Sequence, residues 1–278
     1  MTMTTTGSAE AWRPNVISEF DPDDMLKEAL IVTAATRAGT VEGYEPSLLV
    51  PYVSTDPAAG FVAEGELIPL ADVGASQIVV TTDKVAVVTR VSHELTSHPK
   101  AAERIAKSLR RSITAKADAA FITNASDPTG LLAIAGINTA GDLGGATDPN
   151  LFAAYDAVAA IEDDGGQATH LLVNTLDWAE LCKLPEGTGS NKSLLADVHN
   201  AATRSLAGVP VIVHSAITAG TALMLDKSEV VAAYGQLLLA RSDDAFFQND
   251  AVAIRATWRI GWNIVRPNRL QKLTIGAA

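Results

Sequence analysis

The residue types best suited to catalysis or metal binding are few and scattered along this chain. His93, His98, His170, His199 and His214 never fall in the H-E-x-x-H spacing that sets two imidazoles and a base on one helix face. Cys182 is the only cysteine, so neither a thiolate zinc site nor an intrachain disulfide framework can form. No G-x-S-x-G elbow is present to present a serine nucleophile. The stretch Gly187-Thr188-Gly189-Ser190-Asn191-Lys192-Ser193 looks like a phosphate loop but departs from it. Asn191 stands where a glycine must precede the lysine, no glycine stands five residues earlier, and the stretch follows a helical pattern rather than a strand. A G-x-G-x-x-G turn between a strand and a helix is absent too. A base for hydrolysis would have to be His170 or His214, without a recognisable nucleophile. The sequence therefore predicts no catalytic, cofactor or metal site.

Charge carries a clearer signal. The 278 residues are 47% hydrophobic and 19% charged, with a net charge of −11. That is the composition of a folded protein, large enough for one big domain or two modest ones. The negative sum argues against gripping nucleic acid by counterion release, though not against enclosing it. The sign is unevenly distributed. Residues 38–83 contain no Lys, Arg or His but carry Glu42, Glu45, Asp56, Glu64, Glu66, Asp72 and Asp83. Lys84, Arg90, Lys100, Arg104, Lys107, Arg110, Arg111 and Lys116 follow at once.

The start, MTMTTTGSAEAW, has no basic and apolar run of a secretory signal. Residues 205–225 lack Asp, Glu, Lys and Arg, but Gly208, Pro210, Ser215 and Gly220 break them into two β runs, so no membrane span is expected.

The elements that carry these charges follow from periodicity. Asp21-Pro22-Asp23-Asp24 places acids in the first turn of a helix through Met25, Leu26, Ala29, Leu30 and Val32, ending before Gly39. Residues 48–53 read as a short strand. Alternation from Ile78 through Thr89, taken with residues 61–68, predicts a long hairpin with its tip at 69–76. Pro99 suits the first turn of a helix. Ala102, Ile105, Leu109, Ile113, Ala117, Ala120 and Phe121 then recur at three- and four-residue spacing, predicting one amphipathic helix over 99–124. The turn signal NASDPTGLL ends it. A mixed block follows: helices at 151–161 and 176–184, a loop at 185–193, and β runs at His170–Val173, Val209–Val213, Thr221–Leu225 and 229–233. From Val252 to Ile264 the even positions are apolar, Trp258 and Trp262 among them, while Arg255, Thr257, Arg259 and Asn263 hold the other face. That predicts a strand with one buried face, with both indoles in the core, and a last strand at 270–275.

This order of parts resembles the major capsid proteins of tailed bacteriophages, with the Hong Kong 97 type fold. AEGELIPLADVGASQIVVTTDKVAVVTRVSHEL is similar to the family's extended loop and return strand, and AAERIAKSLRRSITAKADAAFITN to its spine helix. DPTGLL, LAGVPVIVHSAITAGTALMLD and DAVAIRATWRIGWNIVRPNRLQKLTI follow in the family's order. The resemblance implies an α+β shell fold: N-terminal arm with short helix at 1–47, extended loop hairpin and flanking strands at 48–96, spine helix of the peripheral domain at 97–124, axial domain at 125–235, and C-terminal strands completing the peripheral domain at 236–278. Ile105, Leu109, Ile113, Trp258 and Trp262 would form the peripheral core.

The implied function is a non-enzymatic shell protein that self-assembles as hexamers and pentamers around phage double-stranded DNA, without cofactor and without sequence-specific DNA binding. It implies a virion capsid assembled in the host cytoplasm. Portal and decoration proteins are implied partners. Met1 stands about where mature chains of the family begin, which implies a separate scaffolding protein, or none. The loop has no Lys before Lys84, so the Lys–Asn links that join subunits in some relatives are not expected. Glu64, Glu66 and Asp72 are expected to meet Arg104, Arg110 and Arg111 of a neighbouring subunit. The rivals are an encapsulin shell, which shares the fold, and a soluble α/β hydrolase.

Overall fold

The structure, a computed structural model, describes residues 18–20, 29–41, 45–96, 101–144, 150–186, 193–195 and 204–276. In chain order its first elements are β1 (Ser18–Phe20), α1 (Leu30–Ala34), β2 (Thr36–Gly39), β3 (Ser47–Thr55), β4 (Gly74–Ser92), α2 (His93–Thr96) and α3 (Ala101–Thr123). There follow β5 (Asn138–Asp142), α4 (Phe152–Asp163), β6 (His170–Val173), α5 (Thr175–Lys183), β7 (Ser205–Leu206), β8 (Val209–Val213) and β9 (Thr221–Leu225). The chain closes with β10 (Val230–Tyr234), β11 (Leu237–Phe246), β12 (Ala251–Ile264) and β13 (Leu270–Thr274). The predicted start of the first helix, Pro99, the side chain of Ala102 and most of the 185–193 loop lie outside the described residues.

Two sheets organise the chain. The seven-stranded sheet runs β1-β11-β12-β10-β2, with β4 on β12 and β3 on β4. The six-stranded sheet runs β5-β13-β9-β6-β8-β7 and mixes parallel with antiparallel pairs. Each has its own core. Leu109, Ile113, Ala117 and Phe121 of α3 pack with Leu30 and Ile31 of α1 onto Trp258, Ile260, Trp262 and Ile264 of β12. Ala154, Ala157 and Ile161 of α4 and Leu181 of α5 cover Leu171, Val173, Met224 and Leu273 of the second sheet. The 236–278 block is divided between them, because β13 pairs with β9 rather than staying with β12, and β10, expected in the middle block, pairs with β12.

The helix α3 forms where the spacing predicts it. Its residues are mostly strong helix formers, and 23 residues give about 35 Å of rod. It ends in a turn that needs Gly130: a Cβ there would run into the backbone of Ile122, Thr123 and Asn124. Asn124 closes that turn by donating to the Pro128 carbonyl at 2.9 Å.

The hairpin differs from the sequence reading in its partner strand. Residues 61–68 form no strand. The outgoing strand is β3 itself, with Leu49 opposite Val79 and Pro51 opposite Gln77. The irregular tip is therefore 56–73, not 69–76. Its Gly and Pro residues, Pro57, Gly60, Gly65 and Pro69, explain why alternation fails there. The second half of β4 leaves β3 and joins the core sheet, with Thr82 to Ser92 paired to β12. One strand thus roots the hairpin, which solves the marginal stability of an isolated ribbon.

Candidate assembly surfaces

The tip is the least supported part of the described chain. Residues 56–72 are all exposed, and Phe61, Leu67 and Leu70 are fully or almost fully so. A turn orders its middle: the Glu66 amide donates to the Ala63 carbonyl at 3.1 Å, with Gly65 at φ 85°. That left-handed position suits glycine. The turn sets Glu64 and Glu66 at the bend, with Phe61 and Leu67 on either side. Among the described residues the side chains of Glu64, Glu66 and Asp72 have no partner within the chain. On α3, Arg104 and Arg111 are exposed and Arg110 is half-buried. One copy of the chain does not bring the acidic and basic sets together.

The residues expected in the core are placed there. Trp258 is fully buried, with its indole N–H donating to the Gly235 carbonyl at 2.9 Å. Trp262 donates to the Thr129 carbonyl at 2.7 Å and meets Phe121 edge-on, with ring centroids 5.4 Å apart. Leu109 and Ile113 are buried beside them and Ile105 is partly buried.

The polar face of β12 is more than a solvated face, and the sequence reading missed this. Arg259 donates from Nε to the Thr82 hydroxyl at 2.8 Å, at the point where β4 leaves the hairpin. Asn263 donates to the Val79 carbonyl at 2.8 Å, and Arg266 to the Val53 carbonyl at 2.7 Å. Gly261 permits the approach, since a Cβ there would strike the Thr81 carbonyl. Among the described residues the apolar cluster beneath the ribbon is small: Val41, Val80, Val231 and Ala233, with Leu48, Val50, Ile78 and Val265 packed on it. The signal was present in the sequence as polar residues alternating through a strand, but their acceptors, the Thr82 hydroxyl and two backbone carbonyls, lie on segments that no spacing links to β12.

The histidines weighed for hydrolysis occupy structural settings. His214 Nδ1 accepts from the Ala216 amide at 3.1 Å, and its Nε2 lies 3.4 Å from Asp118 Oδ2. Asp118, on α3, is almost wholly buried and accepts the Leu30 amide at 2.8 Å, capping α1. Burial pushes its carboxyl up to about 6, against the opposing pull of the Leu30 amide and His214. His170 is pushed down from its usual value by burial and by Lys227. Burial raises the Cys182 thiol, with Arg204 opposing it. Among the described residues no three His, Cys, Asp or Glu side chains converge on a metal position, and no helix is long and apolar enough to cross a membrane.

The fold is α+β, built on a long helix against a sheet that extends into a protruding hairpin, and it is a capsid shell fold. The chain belongs to the Phage capsid family, whose profile matches residues 23–275. Its fold is similar to that of a solved structure from Mycobacterium phage Adephagia, with a TM-score of 0.72 and 15% identity over 100% of this chain and 99% of that one. The capsid of an empty GTA particle gives a TM-score of 0.71 at 16% identity, covering 99% of this chain and 100% of that chain. A structure from Gordonia phage Cozz gives 0.70 at 19% identity, covering 100% and 96%. No curated protein sequence matches the chain.

Proposed function

We propose that this chain is a major capsid protein whose copies join as hexamers and pentamers into an icosahedral shell around double-stranded phage DNA. The observation that carries the reading, beside the family, is the hairpin tip. It projects Phe61, Leu67 and Leu70 into solvent, with nothing among the described residues to cover them. A monomer gains nothing from such exposure, whereas a neighbouring subunit buries it. The net charge of −11 suits a container that must not hold its DNA tightly.

Within that shell, Glu64, Glu66 and Asp72 of one subunit face Arg104, Arg110 and Arg111 of the next. The segregation of sign along the chain supports this pairing. The shell assembles in the host cytoplasm, with scaffolding, portal and decoration proteins as the partners to seek in purified precursor particles. The decisive test is particle size. The purified chain is expected to form capsomers or closed shells in negative stain, filled with DNA when isolated from phage. A compact monomer at high concentration would overturn the reading, and particles filled with protein cargo would favour a nanocompartment.

A further inference from the structure

The hairpin's outer half hangs on one guanidinium. Arg266 follows the end of β12, where its Nη2 donates to the Val53 carbonyl at 2.7 Å and its guanidinium carbon sits 5.8 Å from the centre of the Tyr52 ring. Val53 lies close to the last paired residue of the ribbon, Thr55. The opposite nitrogen, Nη1, donates to Glu229 Oε1 at 3.0 Å. Glu229 is buried, its side chain only 5% exposed, and is held in turn by Arg269 Nη1 at 2.6 Å. Arg269 continues to the Asp164 carboxylate at 3.1 Å and the Asp164 carbonyl at 2.7 Å, at the C-terminal end of α4. A continuous chain of charge-assisted bonds therefore runs from the ribbon's backbone to the helix covering the six-stranded sheet.

Each link has little freedom. A guanidinium is planar, and satisfying a carboxylate with one nitrogen and a carbonyl with the other fixes its plane. A buried carboxylate cannot turn away from its arginines without leaving a charge unpaired. The apolar cluster under the ribbon cannot do the same job at this end. Its buried members sit beneath the root, around Val80, which pairs with Leu48, and its partly buried members on the ribbon, Leu48, Val50 and Ile78, stop short of Val53.

The geometry points to Arg266 as the positioning residue that sets the hairpin's pitch against the six-stranded half of the subunit, and hence the curvature with which subunits join. The second step rests on the capsid reading; the first does not. Arg266 reads a backbone carbonyl, so it fixes direction whatever side chains the ribbon carries. The exposed ribbon face of Leu49, Pro51, Val53, Gln77 and Val79 is left free by this arrangement.

The test uses the full chain with nitroxide labels at Gln77→Cys on the ribbon and Asp156→Cys on α4, in a Cys182→Ser background and diluted with unlabelled chain. Pulsed dipolar spectroscopy then reads the pitch, and electron microscopy reads shell diameter. Arg266→Lys is the principal variant. It keeps a cation for Glu229 but cannot also reach Val53 through a rigid fork, and Arg269 leaves Glu229 paired if the protein tolerates only this change. Arg266→Ala is the second. The unsubstituted chain is expected to give one narrow distance distribution and one shell diameter. In both variants the distribution widens roughly twofold and the diameters scatter. Unchanged distributions in both variants would overturn the assignment. Widening with uniform diameters would overturn the step to curvature alone. If the unsubstituted chain forms no particle while the variants still widen, the capsid reading falls and the pitch assignment stands.

Discussion

The two halves of β4 show two ways of holding a strand. Residues 82–92 lie against β12 in a full antiparallel ladder, over a core that includes Trp258 and Ile260. Residues 74–81 pair only with β3, over a small valine cluster, and are tied from outside by Asn263 and Arg266. In the first half the apolar side chains determine position, and the ladder follows. In the second half, polar side chains from elsewhere grip backbone carbonyls. The first arrangement is rigid because moving it opens cavities, while the second is set by a few directed polar bonds, so that a single substitution can release it. A subunit that must dock onto copies of itself in slightly different orientations needs both.

The largest expected effect breaks the rigid half. Trp258→Ala or Trp262→Ala should lower subunit stability by about 3–5 kcal/mol in chemical denaturation, the usual loss for a buried large aromatic. Phe61→Ala or Leu70→Ala in the tip should change the same measurement by no more than about 0.5 kcal/mol, since these side chains are already in water. Comparable losses at the tip would mean that the tip packs on its own subunit.

The next effect acts on the joint between α3, α1 and the turn after β8. The Asp118 carboxyl is raised from 3.8 to about 6, so the folded state holds its proton more tightly than the unfolded chain. Its stabilising contribution is full below pH 3.8 and is lost as pH rises through about 6. The loss amounts to at most about 3 kcal/mol. Asp118→Asn keeps an acceptor for the Leu30 amide and removes the charge. It should therefore raise the thermal midpoint at pH 8 and flatten its dependence between pH 4 and pH 7. The facing groups make this readable: α1 has no charged residue, and His214 is the only titratable side chain in the turn of residues 214–217. A variant with the same pH profile as the unsubstituted chain would assign that dependence elsewhere.

A smaller effect separates the two arginines of β12. Arg255 is exposed, and Arg255→Ala should stay within about 0.5 kcal/mol. Arg259 is half-buried against Thr82 where β4 leaves the hairpin, and Arg259→Ala should cost about 1–2 kcal/mol. Equal values would mean that the Thr82 contact contributes nothing in solution.

What the sequence disclosed divides along the same line. The helix α3 was legible because Leu109, Ile113 and Phe121 repeat the helical period, and β12 because apolar residues alternate from Val252 to Ile264. Both patterns are local consequences of burying one face. β11 was missed because Leu237-Leu238-Leu239 leads into Arg241, Asp243 and Asp244 without alternation. The pairing of β3 with β4 was misread because the tip between them has its own apolar residues, and strand choice depends on contacts distant in sequence. Asp118 with His214, and Arg266 with Val53, are meetings of chain segments that no spacing encodes. The acidic tip and the basic helix face were visible as charge, though a single chain leaves them apart.

The smallest effect per contact concerns that separation. Each exposed pair proposed between the tip and a neighbour's α3 would be worth about 0–1 kcal/mol, because solvent screens it. Every interface of a shell repeats the pairs, and complementary sign also selects register and rejects wrong docking. Glu64→Lys combined with Glu66→Lys should leave the subunit's denaturation midpoint unchanged, since neither carboxylate has a side-chain partner within the described chain. The yield of closed shells should fall. Reversing Arg104 and Arg111 to Glu in the same chain should restore part of that yield, and more of it at low salt, where the screening length grows to tens of ångströms. The apolar residues of the tip make the rival account concrete. If Phe61, Leu67 and Leu70 hold the neighbour unaided, the double reversal assembles normally at low salt, and Phe61→Ser with Leu70→Ser abolishes assembly instead. Shell counts by electron microscopy at two salt concentrations separate the two accounts, because a hydrophobic contact weakens little as salt falls whereas the charged one strengthens.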